Sequence, residues 1–377
     1  MRGLLDLAIA RLPVRARQKI QLCRALTAED ELRRLSAADF AAILCTPKPA
    51  DGQTFLDFDE SPAVVRTKEC TRAWRSIADA VIAAEKDAAF LHRQGLSYVS
   101  VVDEAYPPLL KTIYDPPAVL FYRGSLDILS LPAAPEAAAA PVKPPPPFLA
   151  VVGTRKPCGG AMAWTYKTMR PLAAAGITIV SGLALGIDAQ AHRGAVDEGG
   201  RSCAVLGTSI DNIYPRTNRP LAAKILENGG IIISEYPPLS EFAKWHFPER
   251  NRIISGLCPA TIVVEAGKKS GALITADFAL EQGRDVWVAV QPPAVTPSAP
   301  TQAALPPDEE SPPDSPLSPA PAAFGAGCSR LLDEGARPVF TPADILPEFG
   351  LRPPAARPAA AFSKNALASG LARELGL

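Results

Sequence analysis

The chain has 377 residues, 47% hydrophobic and 21% charged, a globular composition long enough for two folding units with linkers between them. Its 39 basic and 39 acidic side chains cancel, so no overall field draws it to nucleic acid or an anionic membrane, and any such attraction must come from a local patch. The 40 prolines, about twice the usual share of roughly 5%, mark linkers, while seven cysteines without a close pair argue against a zinc site and for a reducing cytoplasm.

The opening MRGLLDLAIARL reads as an amphipathic helix, because Asp6 and Arg11 interrupt the apolar run and no small-residue cleavage site follows. No stretch reaches the roughly 18 apolar residues of a membrane span. Residues 1–95 keep helical spacing, with breaks at Pro13, Thr27 and 47–52, and predict a small helical domain of the SAM or helix-hairpin-helix kind. Its longest helix, Trp74 to Gln94, ends at Gly95, a good left-handed cap. Residues 96–130 form a lead-in with two extended pieces, SYVSV and AVLFYRG. Residues 131–147, rich in Pro and Ala, bury too little to repay their ordering entropy and form a linker.

From Phe148 six apolar runs, FLAVVG, ITIVSG, SCAVLG, GIIISE, ATIVVE and DVWVAV, alternate with helix-length amphipathic stretches. Continuous rather than alternating apolar runs are strands buried on both faces. The fold class is therefore α/β, a Rossmann-like, doubly wound, mostly parallel sheet beside the small N-terminal helical domain. This second domain spans 148–346, with a Pro-rich insertion over 291–323 whose composition predicts disorder, and 347–377 is a tail.

In such a sheet the ligand lies beyond the carboxyl ends of the strands. The segments there are GTRKPCGG, SGLALGIDAQAH, GTSIDNIYPRTNR, SEYPPLSEFAKWHFPERNR and EAGKKSGALITA. Gly153, Thr154, Ser181, Gly182, Gly186 and Gly207 are candidates for loops whose amides approach a phosphate, although strand-to-helix turns need glycine anyway. GTRKPCGG has neither G-x-G-x-x-G spacing nor a Gly-Lys-Ser/Thr ending, so dinucleotide binding and ATP hydrolysis lose support and no cofactor is expected. The densest signal is Lys244 to Arg252, KWHFPERNR, where cations alternate with aromatics as sequence-tolerant single-strand binding requires. Trp245 and Phe247 have two readings, base-stacking rings or core anchors. His192 fits packing or capping better than general-base work, and Asp188 and Glu265 fit either acid/base chemistry or the orienting of loops.

These segments, from VVGTRKPCGG through SGLALGIDAQAHRGA, AVLGTSIDNIYPRTNRPL, HFPERNRIISGL and TIVVEAGKKSGALITADFALEQGRDVWVAV to GCSRLLDEGA, resemble the DprA (Smf) family of DNA-processing proteins. AYPPLLKTIYDPPAVLFYRG is similar to that family's lead-in. The resemblance implies a cytoplasmic homodimer without catalysis, which binds single-stranded DNA, protects it and loads the RecA recombinase onto it during natural transformation. It also implies DNA-binding roles for Arg155, Lys244, Phe247, Arg250, Asn251 and Arg252, with Asn251 serving to order the loop more than to touch DNA. One departure is Gln291, which opens the insertion where the family carries a Pro-Gly turn, in the part expected to make dimer and RecA contacts. The alternative, a nucleotide N-glycosidase on a related fold, would resemble P-G-G-x-G-T-x-x-E, and EAGKKSGALITA lacks its second glycine, its Gly-Thr pair and its glutamate.

Overall fold

The computed structural model describes residues 2–45, 71–129, 147–291 and 323–352. The linker expected over 131–147, the insertion over 291–323 and the end of the tail lie outside the described residues, apart from 147, 291, 323 and 347–352. No described helix is long and apolar enough to cross a membrane.

Four short helices open the chain: α1 (Arg2–Arg11), α2 (Ala16–Ala25), α3 (Glu29–Arg34) and α4 (Ala37–Cys45). Rather than showing one apolar face, α1 buries every residue from Leu5 to Ala10. It is clasped by α5 (Ile77–Gln94) on one side and by the sheet on the other, and Asp6 inside this contact accepts from Ser100 Oγ at 3.1 Å. Burial raises the Asp6 carboxyl above its usual range. Helix α5 ends as its sequence requires, with Gly95 at φ 59° and its N–H returned to the last turn. Its Asp87 receives both prongs of Arg11 at 2.8 and 2.6 Å, and Arg11 also donates to the Pro238 carbonyl at 2.5 Å. The helical segment is thereby joined to a loop of the sheet.

Nine strands make one sheet: β1 (Ser97–Ser100), β2 (Val119–Gly124), β3 (Phe148–Val152), β4 (Thr178–Ser181), β5 (Ser202–Leu206), β6 (Ile231–Ser234), β7 (Ala260–Val263), β8 (Asp285–Ala289) and β9 (Arg337–Val339). Their order is β1-β2-β6-β5-β4-β3-β7-β8-β9. The β1–β2 and β2–β6 pairs are antiparallel, and the other neighbours are parallel. The lead-in strands are thus the antiparallel margin of the parallel sheet, Phe121 facing Ser234 in register. Strands β3 to β7 bury every residue, as their unbroken apolar runs dictate.

The lead-in holds the short helix α6 (Pro108–Lys111), and the crossover helices are α7 (Gly159–Ala174), α8 (Ile187–Asp197), α9 (Arg219–Glu227), α10 (His246–Gly256) and α11 (Gly271–Glu281), with α12 (Ala326–Asp333) before β9. One apolar core holds Leu149, Ile179, Trp164 and Leu172, and the chain after the insertion contributes Val339, Ile345 and Leu346 to it. Trp164 fixes that return by donating its indole N–H to the Phe340 carbonyl at 2.8 Å. The chain runs outward from β3 to β6, then returns to β3's other side at β7. The strand order therefore reverses between β3 and β7, where a doubly wound sheet opens its crevice.

Candidate nucleic-acid interface

At the reversal point two amides that might receive a phosphate already have a partner. Thr154 N–H donates to the Glu265 carbonyl at 2.8 Å, and Cys158 N–H, at the start of α7, donates to Glu265 Oε2 at 2.9 Å. A carboxylate of the chain thus sits where a helix N-terminus would hold an anion. Asp188 acts alike at α8: its Oδ2 accepts from Gly182 N–H at 3.2 Å. Burial lifts its carboxyl above the ordinary value, partly opposed by the charge of Arg250. Both carboxylates orient loops, the second of the roles their sequence positions allowed.

The glycines are required by the packing of the protein itself. A side chain on Gly153 would strike Ile187, one on Gly182 the guanidinium of Arg250, one on Gly186 the backbone of Thr154 and Arg155, and one on Gly207 the ring of Phe247. The space they free is filled by protein. Ser181 is buried and donates to the Val151 carbonyl at 2.6 Å, and Thr154 Oγ1 accepts from Lys156 N–H at 3.3 Å. Of these six residues Ser181, Gly182 and Gly207 are buried, whereas Gly153, Thr154 and Gly186 are half-exposed at the strand ends.

Helix α10 begins at His246, with Pro248 in its first turn, where no backbone N–H is needed. The helix divides the basic-aromatic stretch. Lys244 and Trp245 are exposed, Trp245 by 61%, so the core-anchor reading of that ring fails. Arg250 and Arg252 point inward, exposed by only 4% and 1%. Arg250 donates to the carbonyls of Gly182, at 2.9 Å, and Val205, binding the ends of β4 and β5. Burial lowers its pKa to about 10, so it remains a cation at neutral pH. Arg252 forks onto Glu235 at 2.8 and 2.7 Å and reaches Asp115 at 3.0 Å, tying α10 to the end of β6 and to the lead-in. Asn251 donates to the Gly271 carbonyl at 3.3 Å, at the head of α11. The direct DNA contacts expected of Arg250 and Arg252 are corrected on this ground. Internal partners engage both guanidiniums on two different sides of α10, strand-end carbonyls for Arg250 and carboxylates for Arg252, with only Arg250 Nε left without a partner among the described residues.

What remains outside is compact. The Arg155 guanidinium lies 5.7 Å from the centre of the Phe247 ring. Phe247 meets Tyr214 at 5.6 Å and Phe242 at 5.5 Å, and those two meet each other at 5.6 Å, all tilted. Tyr214 and Phe242 are 45% and 48% exposed, unusual for large apolar rings in contact. Neither belongs to the residues expected from sequence. Their signal was present, since both lie in loops after strands beside cations, Tyr214 before Arg216 and Phe242 before Lys244. Lys156, Lys268 and Lys269 are also exposed in the loops after β3 and β7. Arg155, Lys244 and Phe247 are therefore brought to one surface, with two further rings.

His192 is walled in. Ser202 Oγ donates to the Ile179 carbonyl at 2.7 Å, so its oxygen accepts from His192 Nδ1 at 2.7 Å, and His192 Nε2 accepts from Leu183 N–H at 3.3 Å. Both ring nitrogens are satisfied in one neutral tautomer, and burial with the Arg250 charge lowers the pKa to about 3. Among the described residues no group of three or more His, Cys, Asp and Glu could hold a metal.

Comparison with known proteins gives a consistent result. Residues 97–350 match the family model of DNA recombination-mediator protein A. DNA processing protein DprA of Streptococcus pneumoniae is 38% identical over 250 residues, 66% of this chain and 73% of that protein. Several other curated relatives are matched over 44% to 62% of their own length. The X-ray structure of the S. pneumoniae protein superposes with a TM-score of 0.61 at 30% identity, covering 91% of this chain and 96% of that one. A structure describing the single-stranded DNA binding mode of DNA processing protein A from Helicobacter pylori superposes with a TM-score of 0.50 at 25% identity, covering 67% of this chain and 95% of that one.

Proposed function

We propose that this chain, which belongs to the DNA recombination-mediator protein A family, binds single-stranded DNA on the surface formed by Arg155, Lys244 and Phe247 together with Tyr214 and Phe242. The observation that carries this reading is the set of three mutually touching rings, Tyr214 and Phe242 exposed and Phe247 half-buried between them, with a guanidinium over Phe247. Every base has a face to stack, and cations on the rim hold phosphates of any sequence. The described single-strand binding of the H. pylori relative supports the same ligand here.

The role is binding and delivery in the cytoplasm: the protein, as a homodimer, protects the strand and loads RecA onto it, which fits a family of recombination mediators. A non-enzymatic role is supported by the side chains that could move protons. Asp188 and Glu265 hold loop amides, and His192 is neutral with both nitrogens engaged. A mobility-shift titration of oligo-dT and of a duplex tests the reading across salt. Single strands should bind in preference to duplex, with affinity falling steeply as salt rises. Absence of binding to oligo-dT, or binding indifferent to salt, would sink it.

A further inference from the structure

Beside the ring surface lies a cavity of about 510 Å³, between the helical segment and the loops of the sheet. Small-molecule sites occupy roughly 300–1,000 Å³, so one nucleotide fits it. One wall comes from the start of α2, with Arg15 and Lys19, and the other from Tyr236 and the start of α10, with Trp245, His246 and Glu249. Its chemistry is divided. Lys19 Nζ donates to the Ala10 carbonyl at 2.7 Å and faces the carboxylates of Glu235 and Glu249. Glu235 is paired with Arg252, so its charge is compensated, whereas among the described residues Glu249 receives only the Tyr236 hydroxyl, at 2.9 Å on Oε2.

Three rings form a stepped apolar wall. His246 stacks on Tyr236 with centres 3.8 Å apart and planes 19° apart, and Trp245 meets His246 edge-on at 4.3 Å. His246 is 7% exposed, and its Nδ1 has no hydrogen-bond partner. Trp245 follows Lys244 and precedes Phe247 by two residues, so the cavity wall and the ring surface share the start of α10.

We propose that this cavity takes the next nucleotide of a bound single strand, its base against Trp245 and the Tyr236–His246 stack and its N–H edge toward Glu249. Lys19 and Arg15 face its phosphate. The inference rests on the single-strand reading above and lengthens the DNA path from the sheet onto the helical segment. It gives that segment a part in binding that the strand-end loops do not supply.

The test uses the full chain and oligo-dT probes carrying 5-iodouracil at one position at a time. After irradiation, one position should crosslink to Phe247, Phe242 or Tyr214, and a neighbouring one to Trp245 or Tyr236. Crosslinks to the first three rings with none to Trp245 or Tyr236 would overturn the cavity while leaving the ring surface standing. If no probe binds, the single-strand reading falls and the cavity with it. Affinity supplies the second measurement, with probes of about 6 to about 20 nucleotides. Lys19→Met should weaken the long probes about fivefold and leave the shortest unchanged. An unchanged affinity at every length, or an equal loss at every length, refutes the proposal.

Discussion

Gly182 and Arg250 share one volume: the Gly182 carbonyl accepts from Arg250 at 2.9 Å, and the guanidinium lies where a side chain on residue 182 would project. Gly182→Ala should therefore dislodge a buried cation from the carbonyls at the ends of β4 and β5. Overpacking of this kind costs about 1–3 kcal/mol. Urea unfolding would show the loss, and a midpoint equal to the parent's would mean that the loop moves aside freely.

Arg252→Met separates a structural role from a DNA contact. It leaves Glu235 and Asp115 without their cation; both carboxylates keep some water, so the cost should fall below the about 3–5 kcal/mol of a fully buried pair. Arg252→Lys should restore little, because an ammonium cannot make the two-pronged contact. A variant that unfolds at the parent's denaturant concentration but no longer binds oligo-dT would place Arg252 on the DNA after all.

Arg155→Ala and Phe242→Ala should do the opposite, weakening single-strand binding with unchanged unfolding. Removing a stacking ring costs about 1–3 kcal/mol per base, whatever the base. Arg155→Ala should also lower the slope of log affinity against log salt by about one. Fluorescence anisotropy at several salt concentrations reads both effects. A loss confined to one homopolymer would argue against a sequence-tolerant platform.

The His192 environment predicts an acid-sensitive fold. Its pKa falls from an ordinary 6.5 to about 3 in the native state, so below pH 6.5 the unfolded chain takes up a proton that the native chain refuses. Stability from this residue is present above that pH and is lost as pH falls toward 3, by about 1.4 kcal/mol per pH unit. The buried carboxyls of Asp188 and Asp115, raised by burial, act in the other direction. The informative quantity is therefore the difference between the parent and His192→Asn. The variant's stability should decline less steeply with acid, and parallel pH profiles would contradict the neutral tautomer assigned to His192.

The strands were legible because apolar runs buried on both faces leave no other reading, and Gly95 ended its helix where a left-handed residue was needed. Helix α1 read as amphipathic because Asp6 looks like a solvent-facing residue until Ser100, almost a hundred positions away, is placed beside it. The site divided in the same way. KWHFPERNR announces cations and rings, but which cations face solvent depends on the turn at which α10 begins and on acids supplied by distant loops. Tyr214 and Phe242 join Phe247 only through the tertiary fold. The glycines fit two readings in sequence, and the atoms in their freed space show the packing need that the sequence could not display.

The bond from Arg252 to Asp115 has a consequence for where the sheet domain can be cut. Arg284 likewise depends on the lead-in, donating to the Leu109 carbonyl at 3.1 Å and to Thr112 Oγ1 at 3.0 Å, and β6 is covered on its outer side by β2. A fragment starting at Phe148 would strand two arginines and bare the backbone of β6, an open template for other chains. A folded fragment must therefore start no later than about Ser97, well upstream of the Pro-rich stretch that divides the sequence to the eye.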